Sequence, residues 1–204
     1  PKWVFEGYEA DYPWMIVLAV GMDYEKIHTA PSDDSSTEVM EQIERGTRAA
    51  RSLAAWIRDQ GYDSFPHCGP SAGPVLLIPA AIEAGLGELG KHGSMIHRDF
   101  GASFRLAVVL TDMPLTPDAP DPFGADDFCL NCQVCVRDCP VDAIHDTKQK
   151  VRGADKWYVD FDKCVLYFNE HDACAICLAV CPWSRPGDAP RLTEKSFRCA
   201  SRGL

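Results

Sequence analysis

The sequence lacks any apolar run of about 18 residues, the length needed to read a stretch as a membrane-spanning helix. It is short of basic residues, with 20 lysines and arginines against 30 aspartates and glutamates and a formal net charge of -10. That balance argues against nucleic acid as the main partner. No G-x-G-x-x-G follows a predicted strand, which argues against a nicotinamide site. No twin-arginine or signal pattern opens the chain, so the expected location is cytoplasmic or membrane-peripheral. The first residue is Pro1, and the sequence reads as starting in mid-fold, so an N-terminally incomplete first domain is expected. Low-complexity tracts are absent, and no repeat longer than a cysteine run is present.

What the sequence does have is cysteine, ten in 204 residues. Cys129, Cys132, Cys135 and Cys139 stand as C-x2-C-x2-C-x3-C, closed by Pro140. Cys164, Cys174, Cys177 and Cys181 form a second group, closed by Pro182, with its first cysteine displaced upstream. The first run has the spacing of two-cluster bacterial ferredoxins, in which the fourth cysteine serves the other cluster. Thiolates are the soft ligands that iron–sulfur clusters take. The crossing predicts one [4Fe-4S] cluster on Cys129, Cys132, Cys135 and Cys181. It predicts another on Cys139, Cys164, Cys174 and Cys177. Disulfides suit exported chains, and structural zinc uses more widely separated cysteine pairs. Two neighbouring clusters make a path for single electrons. Cys68 and Cys199 are left over and are read as plain thiols.

Hydrophobic residues make up 46% of the chain, enough for a core in one or two domains. The apolar run Trp14–Val20 predicts a buried strand. Residues 35–60 read as one amphipathic helix, with Ser35 and Glu38 as a capping box and Gly61 as its stop. Tyr62–Gly73 reads as a loop, Val75–Ala84 as a short helix and Ser103–Thr111 as a second strand. Pro114, Pro117, Pro120 and Pro122 form a stiff linker. The domain boundary is placed there, giving 1–121 and 122–204. Trp157–Phe161 is a strand candidate, and the tail from Gly187 is expected to pack loosely. Lys148, Lys150, Arg152 and Lys156 read as a solvated face, or as a dock for an acidic electron donor.

Four segments carry a resemblance: GLGELGKHGSMIHRDFG (85–101), FRLAVVLTDMPLTPDAP (104–120), FCLNCQVCVRDCPVDAI (128–144) and WYVDFDKCVLYF…CAICLAVCPWSRPG (157–187). With them the chain resembles the cobalamin-dependent reductive dehalogenases and, more distantly, epoxyqueuosine reductase. The resemblance implies an α+β fold: a partial nitroreductase-like domain holding base-off cobalamin, followed by a ferredoxin-like module with two clusters. It implies electrons entering from a donor protein or reductant at the Cys139 cluster. From there they pass to the Cys181 cluster and on to cobalt, with a small organohalide as substrate. Gly85, Gly87, Gly90, Gly93, Ser94 and Met95 are then expected along the corrin, although the glycines also suit turns and a helix cap. Arg105 occupies the place of the family's strand arginine. It is read either as a support for the acid or an anionic substrate, or as a buried salt bridge to Glu88 or an aspartate. Where the family presents a tyrosine proton donor this chain has Ile43, and Gly69 stands where an asparagine is common. Tyr62, His67 and His97 are stand-in donors. The other readings are an epoxyqueuosine reductase-like enzyme and a non-catalytic iron–sulfur electron carrier.

Overall fold

The computed structural model describes residues 3, 4, 6, 7, 9, 11–67, 73 and 75–200, with side chains to 195. Cys68 and Gly69, and the side chain of Cys199, lie outside the described residues. The chain divides into two compact units that are not contiguous in sequence. The first comprises Pro1–Gly21, Val39–Leu86 and Phe104–Asp121, and the second Met22–Glu38, Gly87–Ser103 and Pro122–Leu204. Among the described residues no helix is long and apolar enough to cross a membrane.

The first unit is built on a three-stranded antiparallel sheet of β1 (Trp14–Gly21), β2 (Ser64–His67) and β5 (Phe104–Thr111), in the order β1-β5-β2. Both predicted strands form, and β5 is central because its two faces are covered. Ala107 and Val109 pack on Ala50, Ala54 and Ile57 of α2 (Asp33–Asp59). On the other face Val108 and Leu110 pack with Val75, Val17 and Leu77, the last from α3 (Leu77–Glu83). A strand covered on both faces reads as a continuous apolar run rather than an alternation. Gly46 lets α2 lie close, since a Cβ there would stand 3.4 Å from Ala107 Cβ.

Two local readings shift. α2 starts at Asp33, and its reciprocal cap pairs Ser32 with Ser35: Ser35 N–H donates to Ser32 Oγ and Ser32 N–H to Ser35 Oγ, each at 3.2 Å. Glu38 is not the capping partner. Buried at 1% exposure, it accepts from Asp23 N–H and pairs with Lys26, beside the short helix α1 (Tyr24–Ile27). β2 lies inside the stretch expected to be loop. It pairs with β5 from Ser64↔Thr111 to His67↔Val108, and Pro66 is tolerated because β2 is an edge strand.

The second unit holds two small hairpins, β3 (Glu88–Leu89) with β4 (Met95–Ile96) and β6 (Gln149–Val151) with β7 (Ala154–Lys156). Its helices are α4 (Ala125–Asn131), α5 (Val134–Arg137), α6 (Phe161–Glu170), α7 (Ile176–Ala179) and α8 (Asp188–Ala200), with a 3-10 turn at Pro182–Ser184. Trp183, 1% exposed, is edge-on to Phe123 and Phe128 at the centre of the core. Trp157–Phe161 is not a strand. It makes a single bridge, Val159↔Ile144, before Asp160 caps α6. The described part of the tail is not loose, because α8 buries Ala189 in the same core.

Glu88 sets the start of α4. Its Oε2 accepts from the backbone N–H of Phe123 and of Ala125, both at 2.8 Å. Glu88→Ala strands two donors and is expected to cost about 2–3 kcal/mol. The check is a lowered thermal midpoint, with Glu88→Gln recovering part of it.

Candidate functional site

The cysteines sit where short helices begin and end in the second unit. Cys129 lies in the last turn of α4 and Cys132 caps it. Cys135 lies in α5, with Cys139 just past its end. Cys164 is in α6, Cys177 in α7, and Cys181 caps the 3-10 turn. Cys174 belongs to a run of four non-glycine residues, Asp172–Ala175, all in the left-handed region. Each such residue costs about 1–2 kcal/mol, so something other than local preference holds this loop. A cluster bound through Cys174 would supply it.

One narrow pocket gathers Cys129, Cys132, Cys135 and Cys181, with Lys91, His92, Phe128 and Trp183 around them. Burial pushes the Cys129 thiol up to about 11 and the Cys135 and Cys181 thiols up to about 12, and neighbouring thiols, Cys132 among them, raise each of the three further. Burial, then Cys139 and Cys174, raise Cys164, while burial and Cys139 raise Cys174. Cys177 is raised by burial first, then by Cys135, Cys174, Cys164 and Cys139. Four thiols thus share one pocket, while Cys177 feels Cys174, Cys164 and Cys139 and also Cys135 of that pocket. Such thiols stay neutral until a metal displaces their protons. The eight are free, and among the described residues no three thiol, imidazole or carboxylate groups converge as they would on a single ion. Around a cubane the cysteines stand farther apart than that. Backbone N–H groups already aim at sulfur, from Lys91 to Cys129, Ala143 to Cys139, Ile176 to Cys174 and Trp183 to Cys181. Donor set, spacing and hydrogen bonds fit iron–sulfur clusters.

The glycine segment also has a structural job. Gly90 N–H donates to Ser94 O and Gly93 N–H to Gly90 O, so these amides are engaged within the β3–β4 hairpin. A Cβ on Gly87 would stand 2.1 Å from Ile96 O, and one on Gly90 2.6 Å from His92 Cε1. In the first unit a Cβ on Gly85 would meet Ala119 O at 2.6 Å. Met95 is buried at 1% exposure. Close packing against their own chain thus also calls for glycine at positions 85, 87 and 90.

Arg105, Tyr62 and His67 belong to the first unit and are not brought together. Arg105 shares the α2 face of β5 with Ala107 and Val109. His67, opposite Val108, faces the other side. Tyr62 is exposed, beyond the Ser64↔Thr111 pair at the far end of β5. Burial lowers the pKa of the Arg105 guanidinium, and no hydrogen bond or ion pair reaches it among the described residues. His97 is half-buried, its Nδ1 accepting from Asp99 N–H and its ring stacked on Phe100. Ile43 lies in α2 and its carbonyl accepts from Thr47 Oγ1. Lys148 is not simply solvated, since it pairs with Asp126 at 2.6 Å. Sequence reasoning missed Lys91 and His92, two buried polar side chains against the cysteines. Their only sequence signal was their place inside a segment already singled out for its glycines.

A family model for the 4Fe-4S dicluster domain matches residues 128–184. The tetrachloroethene reductive dehalogenase of Dehalobacter restrictus is 36% identical over 184 residues, covering 84% of this chain and 33% of that protein. An epoxyqueuosine reductase from Synechocystis sp. is 26% identical over 224 residues, covering 90% of this chain and 73% of that protein. A catabolic reductive dehalogenase solved with 3-bromo-4-hydroxybenzoic acid superposes with a TM-score of 0.87 at 31% identity, over 97% of this chain and 30% of that chain. A reductive dehalogenase structure reported with a mechanism for B12-dependent dehalogenation gives 0.86 at 30% identity, over 97% and 30%. This chain spans about a third of the length of these dehalogenases. With its ferredoxin-like dicluster domain inside a mixed helix-and-sheet fold, the chain belongs to the reductive dehalogenase family.

Proposed function

We propose that this chain is the electron-delivering part of a reductive dehalogenase. One [4Fe-4S] cluster is held by Cys139, Cys164, Cys174 and Cys177, and a second by Cys129, Cys132, Cys135 and Cys181. The carrying observation is the adjacency of the two thiol groups, with Cys135 among the groups that raise Cys177. The clusters supply one-electron transfer, and base-off cobalamin, which the family resemblance implies, supplies the reduced metal that breaks a carbon–halogen bond. The electron donor is a reductant or donor protein that meets the Cys139 group. Overall, an electron pair and a proton replace halide by hydrogen on a small organohalide. Gly85, Gly87, Gly90, Gly93, Ser94 and Met95, which the family resemblance sets along the corrin, also shape their own turn and hairpin.

Arg105 is the residue of the first unit with a chemical task. Its guanidinium is always charged, mostly buried and without a partner among the described residues. Such a group suits the anionic end of a substrate, or charge that develops as halide leaves. Tyr62 lies beyond the far end of β5 and His67 on its other face, and they are given no part.

The test is anaerobic reconstitution with iron, sulfide and cobalamin, then titanium(III) as reductant. Bromide release from 3-bromo-4-hydroxybenzoate and chloride release from tetrachloroethene are the readouts. Halide release is expected from at least one of them, falling about 100-fold in Arg105→Met, the scale of losing one positioned charge donor. A chain that binds ~8 irons and corrin yet releases no halide supports the electron-carrier reading, or the epoxyqueuosine reductase-like one if it reduces the modified tRNA base.

A further inference from the structure

We propose that Lys91 is the built-in counter-charge of the cluster on Cys129, Cys132, Cys135 and Cys181, and that it makes this cluster the easier of the two to reduce. The inference rests on the ligand assignment above. It starts from a side chain with no reason to be where it is. Lys91 is 1% exposed, and its Nζ has no hydrogen-bond acceptor among the described residues. A buried ammonium without a partner is strongly unfavourable. It lies over the face of Trp157, 4.8 Å from Nζ to the ring centroid. That ring is held by its Nε1–H, which donates to Asp126 at 2.6 Å. The Asp126 carboxylate is taken by Lys148, also at 2.6 Å, so the nearby acid already has its cation.

What Lys91 does face is sulfur. It lines the pocket with all four cysteines of this group, and its own N–H donates to Cys129. Its charge also acts on the Cys129 and Cys135 thiols, in the direction that favours thiolate. No lysine or arginine acts comparably on Cys164, Cys174 or Cys177. A cubane on four thiolates is an anion, and it becomes more negative with the electron it takes up. A fixed cation in a water-poor pocket therefore favours the reduced form, and net charge and hydrogen bonds to sulfur are what set such potentials. With the cation beside one group only, electrons entering at the Cys139 group run downhill to the Cys181 group. His92 Nε2, also without an acceptor, lines the same pocket; because Nδ1 accepts from Ser94 N–H, the ring proton sits on Nε2 as a second donor.

The experiment is a redox titration followed by electron paramagnetic resonance on the reconstituted chain and on Lys91→Met, Lys91→Gln and Lys91→Arg. The signal of the Cys181 cluster is identified by its loss in Cys181→Ser. In the neutral variants that cluster is expected to become about tenfold harder to reduce, about 59 mV for a one-electron couple. The other cluster keeps its potential, and Lys91→Arg stays near wild type. Failure of both neutral variants to assemble this cluster, with Lys91→Arg assembling it, shows the same need for charge and also supports the proposal. Unchanged potentials with both clusters present overturn it, as does an equal shift of both. Fewer than two clusters in the wild-type chain, or two intact clusters in Cys181→Ser, sinks the ligand assignment instead.

Discussion

Replacing Cys181 by serine is expected to remove one of the two clusters, so that bound iron falls from ~8 to ~4 per chain and halide release stops. Cys181 closes the second cysteine run, yet the thiols that act on it are Cys129, Cys135 and Cys132 of the first. It is buried, and a serine hydroxyl there is harder and far less acidic than a thiol, so it cannot replace the thiolate as a ligand for iron. The loss should be selective, with the cluster on Cys139, Cys164, Cys174 and Cys177 surviving as a single spectroscopic signal. Serine at Cys177 should take away the other signal. Iron and acid-labile sulfide analysis with electron paramagnetic resonance reads both outcomes. If the two variants lose the same cluster, the crossing of the runs is wrong.

Alanine at Gly101 is expected to be nearly as damaging, although the residue is no ligand. Gly101 has φ +57°, and a Cβ there would lie 1.8 Å from the Trp183 carbonyl oxygen and 2.3 Å from its carbon. No side-chain rearrangement relieves a clash with backbone. Either the tight turn closed by the reciprocal His97 and Gly101 hydrogen bonds opens, or the segment carrying Cys181, Pro182 and Trp183 moves. Left-handed backbone for alanine costs about 1–2 kcal/mol, and forced overpacking adds about 1–3 kcal/mol. Together they give about 2–5 kcal/mol, a large share of a domain's stability. Trp183 is the centre of the core and adjoins the cluster pocket, so iron should be lost along with stability. Gly153→Ala is the control. It also has positive φ, at +85°, but nothing lies within 4 Å of its Cβ, and only the conformational cost remains. Thermal unfolding that places the two variants together would show that the close approach does not exist.

Much of the fold was legible along the chain, for identifiable reasons. The two eight-residue strands of the sheet are covered on both faces, so their sequences are continuous apolar runs. β2 was not legible, because Ser64–His67 carries a proline and few strand formers, and becomes a strand only where β5 offers it an edge. The β6–β7 hairpin was missed too. Its turn uses Arg152 at φ +50° before Gly153, where a sequence reading favours asparagine or glycine. The tail was misjudged because α8 buries a narrow stripe that includes Ala189, and an alanine announces little in sequence.

The site divides in the same way. Residue type and spacing by themselves determined the iron–sulfur chemistry of the cysteine runs, because a cluster demands particular ligands at particular intervals. Tertiary structure alone decided what surrounds them. It placed an ammonium and an imidazole against Cys129, Cys132, Cys135 and Cys181, gave Glu88 to the start of α4, and left Arg105 without a partner among the described residues. Burial and charge balance depend on residues far apart in the chain, and no local pattern encodes which of them will meet.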